Sequence, residues 1–178
     1  MDKAAKHIMK PIDKLRHIVA EYGRKSIENY KVCRELGRNI IESLREFLDS
    51  PPGAVIGVPP HGDWDINQGD YRDEVFSTFT DEILLIKDVQ LGISIRVDNL
   101  NDSGSFWMRI VVNLRKEGER FLISIGDRFQ TSIPVSYETN DLKHLSEEIF
   151  GAVLRAYEED VNVFVDGLTG KTTIGFLS

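Results

Sequence analysis

Phe106-Trp107-Met108-Arg109-Ile110-Val111-Val112-Asn113-Leu114-Arg115 and Arg120-Phe121-Leu122-Ile123-Ser124-Ile125-Gly126 are two alternating apolar runs joined by Lys116-Glu117-Gly118-Glu119. Alternate side chains of a strand point to opposite faces, so the first run places Phe106, Met108, Ile110, Val112 and Leu114 on one side. The second does the same with Phe121, Ile123 and Ile125. A two-residue turn at Glu117-Gly118 sets Leu114 opposite Phe121 and Val112 opposite Ile123, which brings both apolar sets to one face. A slip of one residue would break that match. The stretch therefore predicts an antiparallel hairpin.

Working outward, Val89–Asp98 alternates in the same way through Leu91, Ile93, Ile95 and Val97. A loop over 99–104 pairs Arg96 with Trp107 on the opposite face. Ala54–Val58 is a short apolar strand, and an irregular polar stretch follows it from Pro59 to about Thr80. Leu142, Leu145, Ile149, Val153, Leu154 and Tyr157 form one helical stripe, predicting a helix over Asp141–Glu158 capped by Asn140 or Thr139. Val161–Asp166 and Thr172–Leu177 are expected as two closing strands around a glycine-containing turn.

Pro51-Pro52-Gly53 separates this body from a different kind of chain. Residues 1–50 hold one proline and two glycines, with eleven Lys/Arg against eight Asp/Glu; the rest of the chain carries eleven against twenty-one. In this basic arm, Ala5, Ile8, Ile12, Leu15, Val19 and Tyr22 step by threes and fours, Gly23 is a plausible stop, and the pattern resumes from Ile27 to Leu48. Ser26 can cap a second helix, and Pro11 either kinks the first or marks its start. Ser26, Asn29 and Ser43 at seam positions argue against a long coiled coil. The predicted organisation is a basic amphipathic helical arm (1–50) and an acidic antiparallel body (51–178). The fold class is α+β: an N-terminal helical pair, a sheet of about five to seven strands, and one long helix in the C-terminal half.

At 178 residues the chain needs no covalent staples to bury a core. Its one cysteine, Cys33, excludes an intrachain disulfide and a multi-thiolate zinc site. Cys33 lies on an apolar stripe and reads as a small core residue. The N-terminus lacks a signal-peptide core, and no run approaches the ~20 apolar residues of a membrane span, so the expected setting is the cytoplasm, without a membrane. A net charge of −7 argues against nucleic acid as a partner.

Catalytic templates fail one by one. Gly170-Lys171-Thr172-Thr173 echoes a phosphate-binding loop, but Val165 replaces its first glycine. Leu122-Ile123-Ser124-Ile125-Gly126 lacks the first glycine of a nucleophile elbow. His144 and Glu148, four apart, suit a solvated ion pair better than a metal. Asp63, Asp65, Asn67 and Glu74 fall at positions 1, 3, 5 and 12 of a calcium-loop spacing. Gln68 stands where that loop needs glycine, and no helix can precede it through Pro59-Pro60. An acidic loop of Asx turns is the competing reading. His61, beside Asp63 and Asp65, is the one histidine placed to act as a base or ligand there.

Arg96, Trp107 and Arg109 share the sheet face opposite the apolar one, a composition enriched in interfaces. The leading functional expectation is a non-catalytic protein-interaction or regulatory module without a cofactor, homo-oligomeric through the N-terminal helices, with Ile8, Ile12, Leu15 and Val19 as contact residues. The alternative is a metal-dependent enzyme or calcium-binding protein using the His61–Glu74 loop and a divalent cation. Nucleic-acid binding by the arm is a third class.

Overall fold

A computed structural model describes residues 10–69, 71–77, 86–98, 104–127 and 129–166. Helix α1 (Pro11–Phe47) leads into strand β1 (Val55–Val58) and a short 3-10 turn at Arg72–Val75. Strands β2 (Val89–Asp98), β3 (Ser105–Glu117), β4 (Arg120–Ile125) and β5 (Phe129–Pro134) follow, then helix α2 (Thr139–Asp166). The five strands form one antiparallel meander in the order β1-β2-β3-β4-β5. This is an α+β fold, as the alternation and the helical stripes imply.

The N-terminal helical pair is in fact one helix of 37 residues. Pro11 occupies its first turn, where a missing N–H and a fixed φ cost nothing. Gly23 does not end it. A glycine costs roughly 1 kcal/mol in a helix interior, and the face bearing Tyr22 continues in phase across it through the buried Ser26, Asn29 and Cys33. Ser26 is no cap; it is buried mid-helix.

The β3–β4 hairpin forms with a register two residues from the expected one: Leu114 pairs with Ile123 and Val112 with Ile125. Gly118 has φ 57 and takes the first loop position, so the turn is Gly118-Glu119 and Glu117 pairs with Arg120. A shift by two preserves face parity, so the apolar sets still share one side. Arg96 pairs with Trp107 as expected.

Strand β5 carries a weak strand signal, because Thr131 interrupts its apolar face between Phe129 and Ile133 while Gln130 and Ser132 face the other way. Val161–Asp166, expected as a strand, instead completes α2. Val161 and Phe164 extend the three- and four-residue steps of Leu154 and Tyr157, a period that a six-residue window does not distinguish from a strand. Thr172–Leu177 lies outside the described residues. The first turn of α2 is closed by Asp141, whose Oδ2 accepts the Glu138 N–H at 2.8 Å, rather than by Asn140 or Thr139.

The second half of α1 and the first half of α2 cover one sheet face. Leu36, Ile40 and Leu44 from α1 and Leu145 and Ile149 from α2 bury against Leu91, Ile93, Leu114 and Ile123. Ser43 Oγ meets Ser146 Oγ at 2.8 Å, and the Phe47 and Phe150 rings lie 5.8 Å apart, edge to face. Both pairs have the same sequence offset, so the two helices run in the same direction. Helix α1 ends at this contact, whereas α2 continues past it.

The other sheet face carries the first part of the β1–β2 connection, Pro59 to Trp64, whereas Val75 and Phe76 return to the α1 side. Val58 is fully buried, and the chain from Val58 to Pro60 crosses directly over Gly92, where a Cβ would sit 2.2 Å from the Val58 carbonyl oxygen. Beyond that crossing, Phe76 bridges Leu91 at the edge of β2. Arg34 and Arg38 of α1 both pair with Asp73, which ties the 3-10 turn to the helix. Among the described residues, no helix is long and apolar enough to cross a membrane.

Candidate functional site

Three regions hold the residues that the sequence singles out. The first is the connection from Pro59 to Val75. Asp65 Oδ1 accepts both the backbone N–H of Asn67 at 2.8 Å and its Nδ2 at 3.0 Å, so these two side chains build an Asx turn. The Asp65 N–H and carbonyl both meet the Tyr71 hydroxyl, at 2.5 and 3.0 Å, and the Tyr71 ring is buried. Asp63 is exposed in the same loop, and Glu74 stands on the 3-10 turn. Among the described residues, no three His, Cys, Asp or Glu side chains converge as ligands of one ion.

His61 and Glu74 do line a common groove of about 880 Å³, with Asp88, Gln90, Asn113 and Arg115. Sequence reasoning missed the last four. Gln90, Asn113 and Ser124 occupy adjacent strands on the face opposite the apolar one. They form a polar ladder: His61 Nε2 donates to Gln90 Oε1 at 2.5 Å, Gln90 Nε2 to Asn113 Oδ1 at 3.2 Å, and Asn113 Nδ2 to Ser124 Oγ at 3.3 Å. Arg115 and Asp88 form an ion pair at 3.5 Å beside it. The alternating polar positions of β2 to β4 were the available signal. Chemically the ladder is a chain of neutral amides and a hydroxyl. A general base is oriented by a carboxylate and faces a nucleophile, whereas the His61 ring is held by an amide.

The second region is Arg96, Trp107 and Arg109. The Arg96 guanidinium lies 5.7 Å from the Trp107 ring centre, and its Nε is 3.2 Å from Asp98 Oδ1. Trp64 of the loop packs edge to face on Trp107 at 5.9 Å. Arg109 donates to the carbonyls of Pro59 at 3.2 Å and Gly62 at 2.7 Å. These side chains hold the β1–β2 connection on the sheet; the arm lies on the opposite face.

The third region is the first part of α1. Burial on this helix begins at Ser26. Ile12, Leu15, Val19 and Tyr22 precede that point, and all four are exposed, Leu15 at 59%. Ile8 lies outside the described residues. At ~1.5 Å per residue, residues 11–25 extend about 22 Å beyond the first buried position.

Where α1 meets the sheet, Asn29 bridges β3 and the segment leading into β2: its Oδ1 accepts the Lys116 N–H at 2.8 Å and its Nδ2 donates to the Lys87 carbonyl at 3.0 Å. Hydrogen bonds and charge from Lys25 and Lys116 hold the neighbouring Glu28 carboxyl below its ordinary range. Burial pushes the Cys33 thiol up to about 12, leaving it protonated and unreactive at neutral pH. No protein family, curated protein or solved structure matches this chain.

Proposed function

We propose that the protein is a non-catalytic interaction module, regulatory rather than enzymatic, that self-associates through the first half of α1. One observation carries this reading: Ile12, Leu15, Val19 and Tyr22 lie in line with the buried face of α1, but burial begins only at Ser26, leaving these four apolar side chains exposed. A stripe of this kind gains free energy when it is covered, about 25 cal/mol per Å² of apolar surface removed from water. Exposed contiguous apolar surface on a folded protein marks a contact site. A reducing, cytoplasmic setting agrees with the single buried thiol.

The test is sedimentation velocity on the full chain and on a Leu15→Asp/Val19→Asp variant. Self-association of the parent that the variant loses, with an unchanged circular dichroism melt, is the expected result. A parent that stays monomeric up to submillimolar concentration overturns the reading.

A further inference from the structure

The second helix carries a matching overhang. Helix α2 continues about 16 residues past the Phe47–Phe150 contact at which α1 ends, roughly 24 Å at 1.5 Å per residue. Along it, Leu154, Val161 and Phe164 are exposed, Val161 at 60% and Phe164 at 91%. These residues continue the stripe on which Phe150 meets α1, with Tyr157 between them against the Phe106 ring at 6.3 Å.

The overhangs leave opposite ends of the molecule, because the two helices run in the same direction with a stagger. They are also nearly equal in length. Their spacing agrees: Ile12, Leu15, Val19 and Tyr22 step by three, four and three, as do Leu154, Tyr157, Val161 and Phe164. Their charges are opposite. Residues 11–25 contain four Lys/Arg against two Asp/Glu, whereas residues 154–164 contain one against three. Helical geometry places Arg16 and Lys14 on either side of the α1 stripe, and Glu158 and Asp160 on either side of the α2 stripe.

We propose that copies of this chain associate head to tail, the basic overhang of α1 in one copy lying along the acidic overhang of α2 in the next. The incoming helix takes the line that α1 vacates beyond Phe47 and repeats, between molecules, the same-direction packing of α1 and α2 within one. With residue 11 beside residue 151, residue 26 of the incoming copy falls beside Asp166. The next sheet then begins where α2 ends. Such a contact is heterologous, so it leaves one free end of each kind and builds rings or open chains rather than closed dimers. This inference rests on the self-association reading and specifies its geometry.

Two variants test it: one blocked at α1 (Leu15→Asp/Val19→Asp) and one blocked at α2 (Val161→Asp/Phe164→Asp), each checked by circular dichroism melting. By sedimentation velocity the parent should grow beyond a dimer with concentration, and each variant alone should be monomeric. Their equimolar mixture should form a dimer and nothing larger, since it retains one intact α1 overhang facing one intact α2 overhang. A charge-reversed pair, Lys14→Glu/Arg16→Glu with Glu158→Lys/Asp160→Lys, should associate only when mixed, and it repeats the test without apolar changes. If the α2-blocked variant associates as the parent does, head-to-tail packing is wrong while self-association through α1 stands. Two monomeric variants that fail to complement also overturn the proposal. A monomeric parent overturns both readings and leaves the overhangs to a different partner.

Discussion

Asn29 Oδ1 accepts the backbone N–H of Lys116 at 2.8 Å, one residue short of the turn-proximal end of β3. Strand β2 begins at Val89 opposite Leu114, so the Lys116 N–H lies beyond its reach and the helix supplies the acceptor instead. The Asn29 amide nitrogen satisfies the Lys87 carbonyl at 3.0 Å in the same way. Asn29→Ala leaves two backbone groups unsatisfied in a part-buried site, at about 1–3 kcal/mol each. The urea midpoint should fall accordingly. Asn29→Asp keeps the acceptor and loses the donor, so its loss should be at least as large, because a partly buried charge then faces the Lys87 carbonyl. An unchanged midpoint for the Ala variant would show that the clamp carries no stability.

Gly92 is required by contact rather than by backbone angle. A Cβ there would meet the Val58 carbonyl oxygen at 2.2 Å and Pro59 and Pro60 backbone atoms at 2.8 Å, none of which can rotate aside. Gly92→Ala should therefore destabilise the fold by about 1–3 kcal/mol, as overpacking of a core does. Gly69→Ala is the control, since nothing lies within 4 Å of that position. Equal thermal midpoints for the two variants would refute the close crossing.

Strands β2, β3 and β4 were legible because one of their faces is buried and the other polar, so period two is written into the residues. Arg96 opposite Trp107 followed from that alternation. Strand β5 was hidden because its centre is polar and only Phe129 and Ile133 mark the apolar side. Gly23 and Ser26 suggested a break in α1, but local propensity is worth about 1 kcal/mol and yields to a stripe that packs in register on the sheet. The hydroxyl of Ser26 and the amide of Asn29 read as seam defects. Asn29 is in fact a clamp on the sheet end, which no local window can show. The groove was illegible for the same reason: His61 and Gln90 are 29 residues apart and meet only once the β1–β2 connection folds over the sheet. Asp65 and Asn67, two apart, make a contact that local rules did foresee.

Cys33 gives a pH dependence with a definite sign. Burial raises its thiol from an ordinary 9.0 to about 12, against a smaller opposing effect of the Lys116 backbone N–H. The folded state thus holds a proton that the unfolded chain releases. This contribution is fully present below about pH 9 and is lost as pH rises towards 12. Cys33→Ala should flatten the fall in unfolding free energy across that window relative to the parent. A thiol reagent at pH 8 should label the native parent only at the rate of global unfolding. Rapid labelling of the folded protein would contradict the burial.

The Asx turn at Asp65 predicts how the acidic loop responds to cations. Asp65→Ala removes the acceptor for the Asn67 N–H and side-chain amide and should cost about 0.5–1.5 kcal/mol. Because that cost comes from a hydrogen bond, the thermal midpoint should fall equally in calcium and in chelator. A parent midpoint that rises with calcium, with the rise abolished in Asp63→Ala and Asp65→Ala, would instead make the loop a cation site.

Arg109 decides how firmly the same connection sits on the sheet. Its guanidinium is the donor to two carbonyls of the connection, Pro59 at 3.2 Å and Gly62 at 2.7 Å, and it flanks the Trp64–Trp107 contact. Hydrogen bonds from a charged donor are worth about 1.5–3 kcal/mol, less where solvent reaches them. Arg109→Ala should therefore open residues 59–69 without unfolding β3 and β4, whose ladder does not involve the side chain. Amide exchange should rise several-fold across the connection and stay unchanged in the hairpin. Trp64 and Trp107 are the two tryptophans of the chain, so their separation should appear as a red shift in emission. Both bonds leave one guanidinium nitrogen, Nη1, so Arg109→Lys keeps a charged donor for the two carbonyls but loses the planar group beside the tryptophans, and it should fall between the parent and Ala. Exchange rising equally in the hairpin would mean that Arg109 supports the whole sheet rather than the connection laid over it.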